Sequence, residues 1–207
     1  MKAVAVILAA GEARTMGFPK ALIEHEGGKS FLQSLASTFG KAGCAVLAVV
    51  GKDAEAVRAQ HPALELVEST RWEAGVVASV KAGLAAALEL GAEAILLHPV
   101  DMPAVRASTL KSLVSKLEDA DAVRPEFENA PGFPVVLSRA GAEKLLAAAS
   151  DSGNLDAAVK PLTLKRLPVK DPGVIVNINT PETYERLFGS APKLAPPPKR
   201  RGTRNAA

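Results

Sequence analysis

The chain has 207 residues, of which 48% are hydrophobic and 4% aromatic, and its formal net charge is +3. This length and composition predict one soluble domain with an aliphatic core, and they exclude a membrane span and a signal peptide, since no apolar run nears the roughly 20 residues of a spanning helix. The charge does not indicate nucleic-acid binding, because residues 189–207 hold five cations and no acid, which leaves 20 basic against 22 acidic residues elsewhere. We therefore expect a cytoplasmic protein with a body at residues 1–188 and a disordered, basic, Pro-rich tail at residues 189–207.

Strand-like and helix-like segments alternate through the first half of the body. The near-continuous apolar run AVAVILAA predicts a first strand that is buried on both faces. Ser30 and Gln33 form a capping-box pattern ahead of the helix-like FLQSLASTFGKAG, and CAVLAVVG predicts a second strand that contains Cys44 as a buried thiol. The helix-like DAEAVRAQ, the strand-like ALELVE, a helix from Val76 to Leu90 and the strand AEAILLHPV continue the alternation.

The alternation is looser after Asp101. We predict a helix from about Ser108 to Glu118, short strands at DAVRP and FPVVLS, a helix at RAGAEKLLAAA, and two strands at LTLKRLPV and GVIVNI. Thr180 as N-cap and Pro181 at the first helical position predict a last helix in TPETYERLF. This order of elements predicts an α/β fold with three α/β/α layers, in which helices cover both faces of a Rossmann-like, mostly parallel, twisted sheet.

The loop after the first strand, in ILAAGEARTMGFPKALI, is the first candidate for chemistry. Gly11 and Gly17 lie on either side of Arg14, and Lys20 follows, a pattern that suits backbone amides and cations closing on phosphate oxygens. Taken alone, the loop is more simply explained as a strand-to-helix turn with solvated charges. It lacks the GxGxxG dinucleotide fingerprint, and the GKS at residues 28–30 lacks the first glycine of a Walker loop.

Polar residues also follow two later strands, and ligands of such sheets bind beyond the carboxyl ends of strands. Asp101 follows AEAILLHPV, where a carboxylate suits Mg²⁺ with phosphate oxygens and waters, or the cap of the next helix. Asn177 and Asn179 follow GVIVNI and suit either a neutral oxygen ligand for the same cation or Asx turns.

Together these segments resemble the MobA-like nucleotidyltransferases, a family that includes the molybdenum cofactor cytidylyl- and guanylyltransferases. LAAGEARTMGFPKAL resembles the family's signature loop, GVVASVKAGL its glycine-led helix start, and PVDMP its metal-binding strand end. GFPVVL resembles its GHPxxL segment, and NINTPETY its closing element. The likeness spans residues 3–188 in the family's order and implies a fold of the nucleotide-diphospho-sugar transferase type.

The resemblance implies that a phosphate of an acceptor attacks the α-phosphorus of a nucleoside triphosphate (NTP) and releases pyrophosphate. It implies catalytic roles for Lys20, Asp101 and Arg14, and a Mg²⁺ site at Asp101 and Asn179. The nucleotide-binding residues that it implies are Leu8, Ala9, Ala10, Gly11, Gly17, Lys20 and Ser79, with Gly75 in the same pocket lining. The LAAG form favours CTP, and the family favours a molybdopterin-like acceptor and a molybdoenzyme maturation partner.

Three positions depart from the family pattern. Ala13 replaces a Ser, Thr15 replaces the Arg that grips the triphosphate while Arg14 stands one position early, and Phe133 stands where relatives often have His. Two alternatives therefore remain open at this point. One is a sugar-phosphate nucleotidyltransferase, and the other is a non-catalytic nucleotide-sensing or interaction domain with a degenerate signature loop.

Overall fold

A mixed sheet forms the centre of the computed structural model, which describes residues 1–147 and 153–197. Within these ranges the strands are β1 (Ala3–Ala9), β2 (Ala45–Val50), β3 (Glu65–Glu68), β4 (Ala94–Pro99), β5 (Ala122–Phe127), β6 (Ala130–Pro131), β7 (Val135–Ser138) and β8 (Leu164–Pro168). The α-helices are α1 (Phe31–Lys41), α2 (Ala54–Gln60), α3 (Val76–Glu89), α4 (Ala107–Ser115), α5 (Arg139–Ala147), α6 (Leu155–Val159) and α7 (Pro181–Phe188). Short 3₁₀ helices lie at Lys20–Leu22, Glu26–Gly28, Trp72–Ala74 and Pro172–Val174.

The strand order places the ends of β1, β2 and β4 side by side. Strands β3, β2, β1 and β4 are neighbours in that order and run parallel, with Ile7 of β1 level with Ala48 on one side and His98 on the other. Strand β7 is antiparallel to both β4 and β5, β6 is antiparallel to β5, and β8 is parallel to β5. The mostly parallel sheet is confirmed, and the antiparallel strands β6 and β7 make it mixed.

Helices cover both faces of this sheet. Ala5 and Ile7 of β1 pack into an apolar cluster with side chains of α1, α2, α4 and α7, whereas Val4 and Val6 pack on the opposite face with α3, α5 and α6. The division follows from the two-residue period of a strand, which sends successive side chains to opposite faces. The predicted three α/β/α layers are therefore confirmed.

Local signals in the sequence set several helix ends. Ser30 Oγ accepts a hydrogen bond from Gln33 N (3.1 Å) at the start of α1, and Thr180 Oγ1 accepts one from Thr183 N (3.3 Å) at the start of α7. Both N-caps satisfy a backbone donor that the first helical turn leaves unpaired. Helix α5 was predicted to extend two residues past Ala147, and those two positions lie outside the described residues.

The strand predicted at GVIVNI is wrong. Pro172–Val174 forms a 3₁₀ helix in which the Asp171 side chain accepts a hydrogen bond from Gly173 N, and Ile175 leaves it in a helical backbone conformation. Val174 and Ile178 are nevertheless buried, at 0% and 1% exposure. The apolar residues of this segment thus fill the core from an irregular chain, which a strand-like pattern of burial does not distinguish from a strand.

Part of the segment assigned to a disordered tail packs on the domain. Leu194 forms an isolated antiparallel bridge with Ile23, and Ala195 N donates to Leu22 O (2.8 Å). Ala195 is also buried, so at residues 193–195 the chain is anchored rather than free. A composition rich in Pro and cations did not reveal this anchoring, because the partners of the bridge lie on a distant loop. Residues 198–207 of the predicted tail lie outside the described residues.

Two further expectations from the sequence concern membrane-spanning helices and the thiol of Cys44. None of the described helices combines the length and the apolar character that crossing a membrane requires. Cys44 is buried as predicted, and burial raises the pKa of its thiol to about 11, so the group stays protonated at neutral pH.

Candidate active site

The loop that joins β1 to α1 is held at its far end by buried side chains. Met16 is 2% exposed, and Gly17 has a φ of +71°, a backbone conformation that favours glycine. Pro19 precedes the 3₁₀ helix Lys20–Leu22, of which Ala21 and Leu22 are buried. Because Met16 before Lys20 and Ala21 and Leu22 after it are buried, the backbone at Lys20 is held in place before any ligand binds.

Lys20 contacts two polar residues that follow other elements. Its ammonium lies 2.8 Å from Asp101 Oδ2 and also donates a hydrogen bond to Asn179 Oδ1. Asp101 comes two residues after the end of β4, the parallel neighbour of β1, and Ile178 N donates to Asp101 O (2.8 Å), which fixes the Asn179 segment against the same strand end. The fold therefore brings together three residues that are far apart in the sequence.

The oxygens around Lys20 fit a divalent cation. Asp101 Oδ1 is buried and has no hydrogen-bond partner within the described residues, so it is available as a ligand. Asn179 Oδ1 and Asp101 Oδ2 already converge on one positive charge, the Lys20 ammonium. No group of three or more His, Cys, Asp or Glu side chains is suited to a metal in the described part of the chain. This donor set matches Mg²⁺, which takes one or two carboxylates and completes its shell with phosphate oxygens and waters.

A buried histidine supports the loop that carries Asp101. His98 on β4 is fully buried, and its Nε2 lies 2.8 Å from Met102 O, to which it donates in the tautomer that this contact requires. Burial lowers the pKa of His98 to about 4, so the ring is neutral at pH 7. The ring therefore acts here as a structural support for residues 101–103 and not as a proton carrier.

A cleft of about 580 Å³ opens above these strand ends, within the size range of small-molecule sites. Nine of the candidate residues from the sequence line it, namely Leu8, Ala9, Ala10, Gly11, Arg14, Lys20, Gly75, Ser79 and Asp101. Gly17 lines a smaller recess of about 170 Å³ next to it, and Asn179 joins the cleft through its contact with Lys20. Each of these candidate residues thus lines the cleft, lines the recess beside it or contacts a residue of the cleft.

The wall opposite the β1 loop comes from the start of α3. Ser79 is buried and donates a hydrogen bond to Ser69 Oγ (3.2 Å), and Gly75 precedes the helix with a φ of +121°. Trp72 also lines the cleft, and it packs against Gly51, where a Cβ would lie 2.7 Å from the Trp72 ring and 2.5 Å from Ala10 O. Only glycine allows β2, the phosphate-loop candidate and the Trp72 segment to approach this closely.

The departures in the signature loop have different structural outcomes. Thr15 Oγ1 donates a hydrogen bond to Asn179 O (2.7 Å), so this residue connects the loop to the Asn179 segment. Arg14 points to solvent with its side chain 84% exposed and pairs with Glu12 (Nε to Oε2, 2.8 Å). Phe133 does not line the cleft, and the Arg124 guanidinium lies over its ring, 5.0 Å from the centroid.

Sequence reasoning assigned no role to two charged residues of the site. Lys52 forms an ion pair with Glu12, and Asp53 lines both the cleft and the recess. Both residues come within three positions of the end of β2, whose last residue, Val50, is level with Ala9 of β1. The signal that could have found them is their place after a buried parallel strand, the same signal that selected Asp101.

A comparison with protein-family models matches residues 5–166 to the MobA-like NTP transferase domain. This range includes the loop after β1, the start of α3 and Asp101, and it ends before Asn179. A comparison with curated protein sequences gives no match.

Solved structures with the same fold cover most of the chain. Rv0371c from Mycobacterium tuberculosis H37Rv has 24% identity and a TM-score of 0.76, and the match covers 92% of this chain and 100% of that chain. A second crystal structure of Rv0371c is a complex with manganese, at 24% identity, the same coverage of both chains and a TM-score of 0.74. A nucleotidyl transferase from Methanothermobacter thermautotroptrophicus has 21% identity and a TM-score of 0.75, with coverage of 90% and 95%. Molybdopterin-guanine dinucleotide biosynthesis protein A from Archaeoglobus fulgidus has 20% identity and a TM-score of 0.69, with coverage of 90% and 96%.

Proposed function

The chain belongs to the family of MobA-like NTP transferase domains, and from this premise we propose that it transfers a nucleoside monophosphate from an NTP to a phosphorylated small molecule. The observation that carries the proposal is the contact of the Lys20 ammonium with Asp101 Oδ2 (2.8 Å) and Asn179 Oδ1. A cation and oxygen ligands at the carboxyl ends of neighbouring parallel strands are what binding a triphosphate with a metal requires.

The proposed reaction is a displacement at the α-phosphorus. A phosphate oxygen of the acceptor forms a bond to the α-phosphorus, the bond from this phosphorus to the bridging oxygen breaks, and pyrophosphate leaves with the electron pair. The chain's own contribution is positional and electrostatic. Backbone amides between Ala10 and Gly17 hold phosphate oxygens, and the Lys20 ammonium stabilises the charge that develops on the α-phosphate.

Asp101 and Asn179 would hold the divalent cation, with Asp101 Oδ1 as the oxygen that is free in the described structure. When bound, Mg²⁺ would neutralise charge on the phosphate oxygens and on the departing pyrophosphate. Lys20 and Asp101 are only 23% and 13% exposed, so their interactions are weakened less by water than those of a surface pair. A manganese complex of the structurally similar Rv0371c supports a divalent cation in this fold.

The substrates that we propose are CTP and a molybdopterin-like cofactor. The nucleotide follows from the LAAG form at residues 8–11, which in the family goes with cytosine. The acceptor follows from the family, and one structural neighbour is by its description a molybdopterin-guanine dinucleotide biosynthesis protein. A partner for the product would then be a molybdoenzyme maturation protein. A sugar phosphate presents the same phosphate to Lys20 and is the competing acceptor.

One observation favours a second function, a domain that binds a nucleotide without turnover. Thr15 stands where the family has a triphosphate-gripping Arg, and it is engaged with Asn179 O. Arg14, the neighbouring cation, is 84% exposed and paired with Glu12. Loss of one cation from a phosphate site weakens transition-state stabilisation more than it weakens nucleotide binding when the missing contact forms mainly in the transition state.

The test is release of pyrophosphate from each of the four NTPs with Mg²⁺ or Mn²⁺, in the presence of molybdopterin, a panel of sugar phosphates or no acceptor. Nucleotide binding is measured in parallel by calorimetry. We expect release only when CTP and molybdopterin are both present. Pyrophosphate release with a sugar phosphate would show that the acceptor is a sugar phosphate and not molybdopterin. Tight nucleotide binding without pyrophosphate release under any condition would favour the sensing domain. Absence of both binding and release would contradict the proposed function.

A further inference from the structure

The charge of the cleft does not match an anionic ligand. Among the described residues that line it, four are carboxylates and two are cations: Glu12, Asp53, Glu73 and Asp101 against Arg14 and Lys20. Lys20 is already paired with Asp101. A triphosphate carries several negative charges, so the cleft lining by itself repels it unless cations from outside this set contribute.

Lys52 is the cation that the structure places at the edge of this lining. It pairs with Oε1 of Glu12, while Arg14 Nε lies 2.8 Å from Oε2 of the same carboxylate. Two cations on one carboxylate leave one net positive charge. The recess of about 170 Å³ is lined by all three side chains, and Glu12 and Arg14 also line the main cleft. The three residues therefore stand where the two spaces meet.

The fold holds Lys52 next to the phosphate-loop candidate. Val50 of β2 is level with Ala9 of β1, so residues 51–53 leave the sheet beside residues 10–12. Gly51 lies against the loop so closely that a Cβ there would be 2.5 Å from Ala10 O. The backbone that carries Lys52 is thus fixed by strand pairing, in contrast to that of a lysine on a surface helix. Its side chain is 49% exposed and can exchange partners.

We propose that Lys52 and Arg14 bind the pyrophosphate part of the triphosphate, and that in the free protein the Glu12 carboxylate holds both cations in place until phosphate oxygens displace it. This inference rests on the proposed function, because it names further ligands of the same NTP. Hydrogen bonds from Lys52 and Arg14 lower the pKa of Glu12, so its carboxylate is ionised at neutral pH and acts as an internal anion. Phosphate oxygens offer the same cations a more highly charged partner.

The experiment is calorimetric binding of Mg²⁺–tripolyphosphate and of Mg²⁺–CTP to the full chain, to three test variants and to one control variant. Lys52→Met removes the charge, Lys52→Arg keeps it, and Glu12→Gln removes the internal anion. Lys41→Met is the matched control, because Lys41 is an exposed lysine at the end of α1 and does not line the cleft. Pyrophosphate as a product inhibitor gives a second readout in any variant that retains turnover.

We expect Lys52→Met to weaken tripolyphosphate binding by about tenfold, the effect of losing one charged hydrogen bond. Lys52→Arg and Lys41→Met should bind as the parent does, and Glu12→Gln should bind several-fold more tightly since no internal anion competes. Equal affinity of Lys52→Met and Lys41→Met for tripolyphosphate would overturn this inference. If the parent chain still binds CTP in that case, the proposed function is not contradicted. A parent chain that binds neither CTP nor tripolyphosphate would overturn both. Weaker binding by Glu12→Gln would contradict displacement of the carboxylate.

Discussion

Two groups of paired charges stand at the same edge of the sheet, and they differ in burial. The side chains of Lys20 and Asp101 are 23% and 13% exposed, whereas those of Lys52 and Arg14 are 49% and 84% exposed. The first pair, which we call the half-buried group, lies between packed residues of the β1 loop and the end of β4. Lys52 and Arg14, which we call the exposed group, both pair with the Glu12 carboxylate, which is 30% exposed. The ion pair of Lys20 and Asp101 is therefore held in place by its surroundings, whereas Lys52 and Arg14 can exchange their partner.

This difference indicates which of the two groups contributes to the chemical step of the proposed nucleotide transfer and which contributes to triphosphate binding. Charged groups in a water-poor site interact strongly and need no rearrangement, which suits stabilisation of charge at the reacting phosphorus. Exposed ion pairs contribute about 0–1 kcal/mol each and are screened by salt, so they suit capture and release of an anion. We infer that the half-buried group serves the chemical step and the exposed group serves triphosphate binding.

The largest effect should come from the half-buried group, Lys20 and Asp101. Asp101→Asn keeps the shape of the side chain but removes the charge that pairs with Lys20 and would hold the metal. We expect pyrophosphate release to fall by about 10³-fold, with an unchanged circular dichroism spectrum. Asp119→Asn is the control, because Asp119 is exposed and does not line the cleft. Turnover within threefold of that of the control would show that Asp101 has no catalytic role.

Acid should destabilise the fold through His98, the buried histidine that contacts the loop carrying Asp101. The pKa of His98 is about 4 in the folded chain and about 6.5 in the unfolded chain, so between these values the unfolded chain takes up a proton that the folded chain does not. The free energy of unfolding therefore falls as the pH falls through this window, by about 3 kcal/mol from His98 alone. Urea unfolding from pH 7 to pH 4 measures it.

The contribution of His98 must be separated from those of two other histidines, and a comparison with the variant His98→Asn does this. Burial lowers the pKa values of His25 and His61 as well. The pH dependence of His98→Asn should be shallower than that of the parent, whatever its stability at pH 7. Parallel curves for the two chains would contradict a neutral His98 beneath the Asp101 loop.

A smaller effect should come from adding a cation to the exposed group. Thr15→Arg should tighten CTP binding by about tenfold, or about 1.4 kcal/mol, since it restores the charge that the family has at this position. The substitution also removes the hydrogen bond from Thr15 to Asn179 O, at a cost to stability of about 1 kcal/mol. Thr15→Val, which lacks both the hydroxyl and the charge, separates the two effects. An unchanged affinity would indicate that Arg14 and Lys52 already supply the contact.

The smallest effect concerns salt, and it compares the two groups directly. From 0.05 M to 0.5 M NaCl, the ratio of parent to Lys52→Met affinity for CTP should shrink about threefold, because screening acts on exposed charges. The corresponding ratio for Lys20→Met should change less, since Lys20 is 23% exposed. Equal salt dependence of the two ratios would show that burial does not distinguish the groups.

Much of the fold could be predicted because its signals are local. The apolar runs of β1, β2 and β4, the Ser30 and Thr180 caps and the helical segments between them are recorded in neighbouring residues. The segment GVIVNI shows where this stops. Its residues are as apolar as those of a strand, yet the Asp171 side chain caps a 3₁₀ helix there. Gly173 also lies so close to Ala104 that a Cβ at this position would be 2.2 Å from Ala104 O. Burial was foreseeable there, and backbone conformation was not.

The candidate site was predictable to the same extent. Lys20, Asp101 and Asn179 each follow a recognisable segment, and in the structure the Lys20 side chain contacts those of the other two. Lys52 carried no such motif, and its pairing with Glu12 depends on β1 and β2 being neighbours in register. The anchoring of Leu194 on Ile23 was likewise invisible, because the basic composition of the tail describes its solubility and not its contacts.

The sequence by itself determined the α/β alternation, the helix ends and the residue types that a phosphate site requires, since these depend on periodicity, capping and side-chain chemistry within short segments. Only the tertiary structure decided that β7 is antiparallel to β4, that Lys20 lies between Asp101 and Asn179, and that Lys52 shares Glu12 with Arg14. Those facts depend on strand order and register, which arise from contacts between segments far apart in the chain and leave no trace in any one of them.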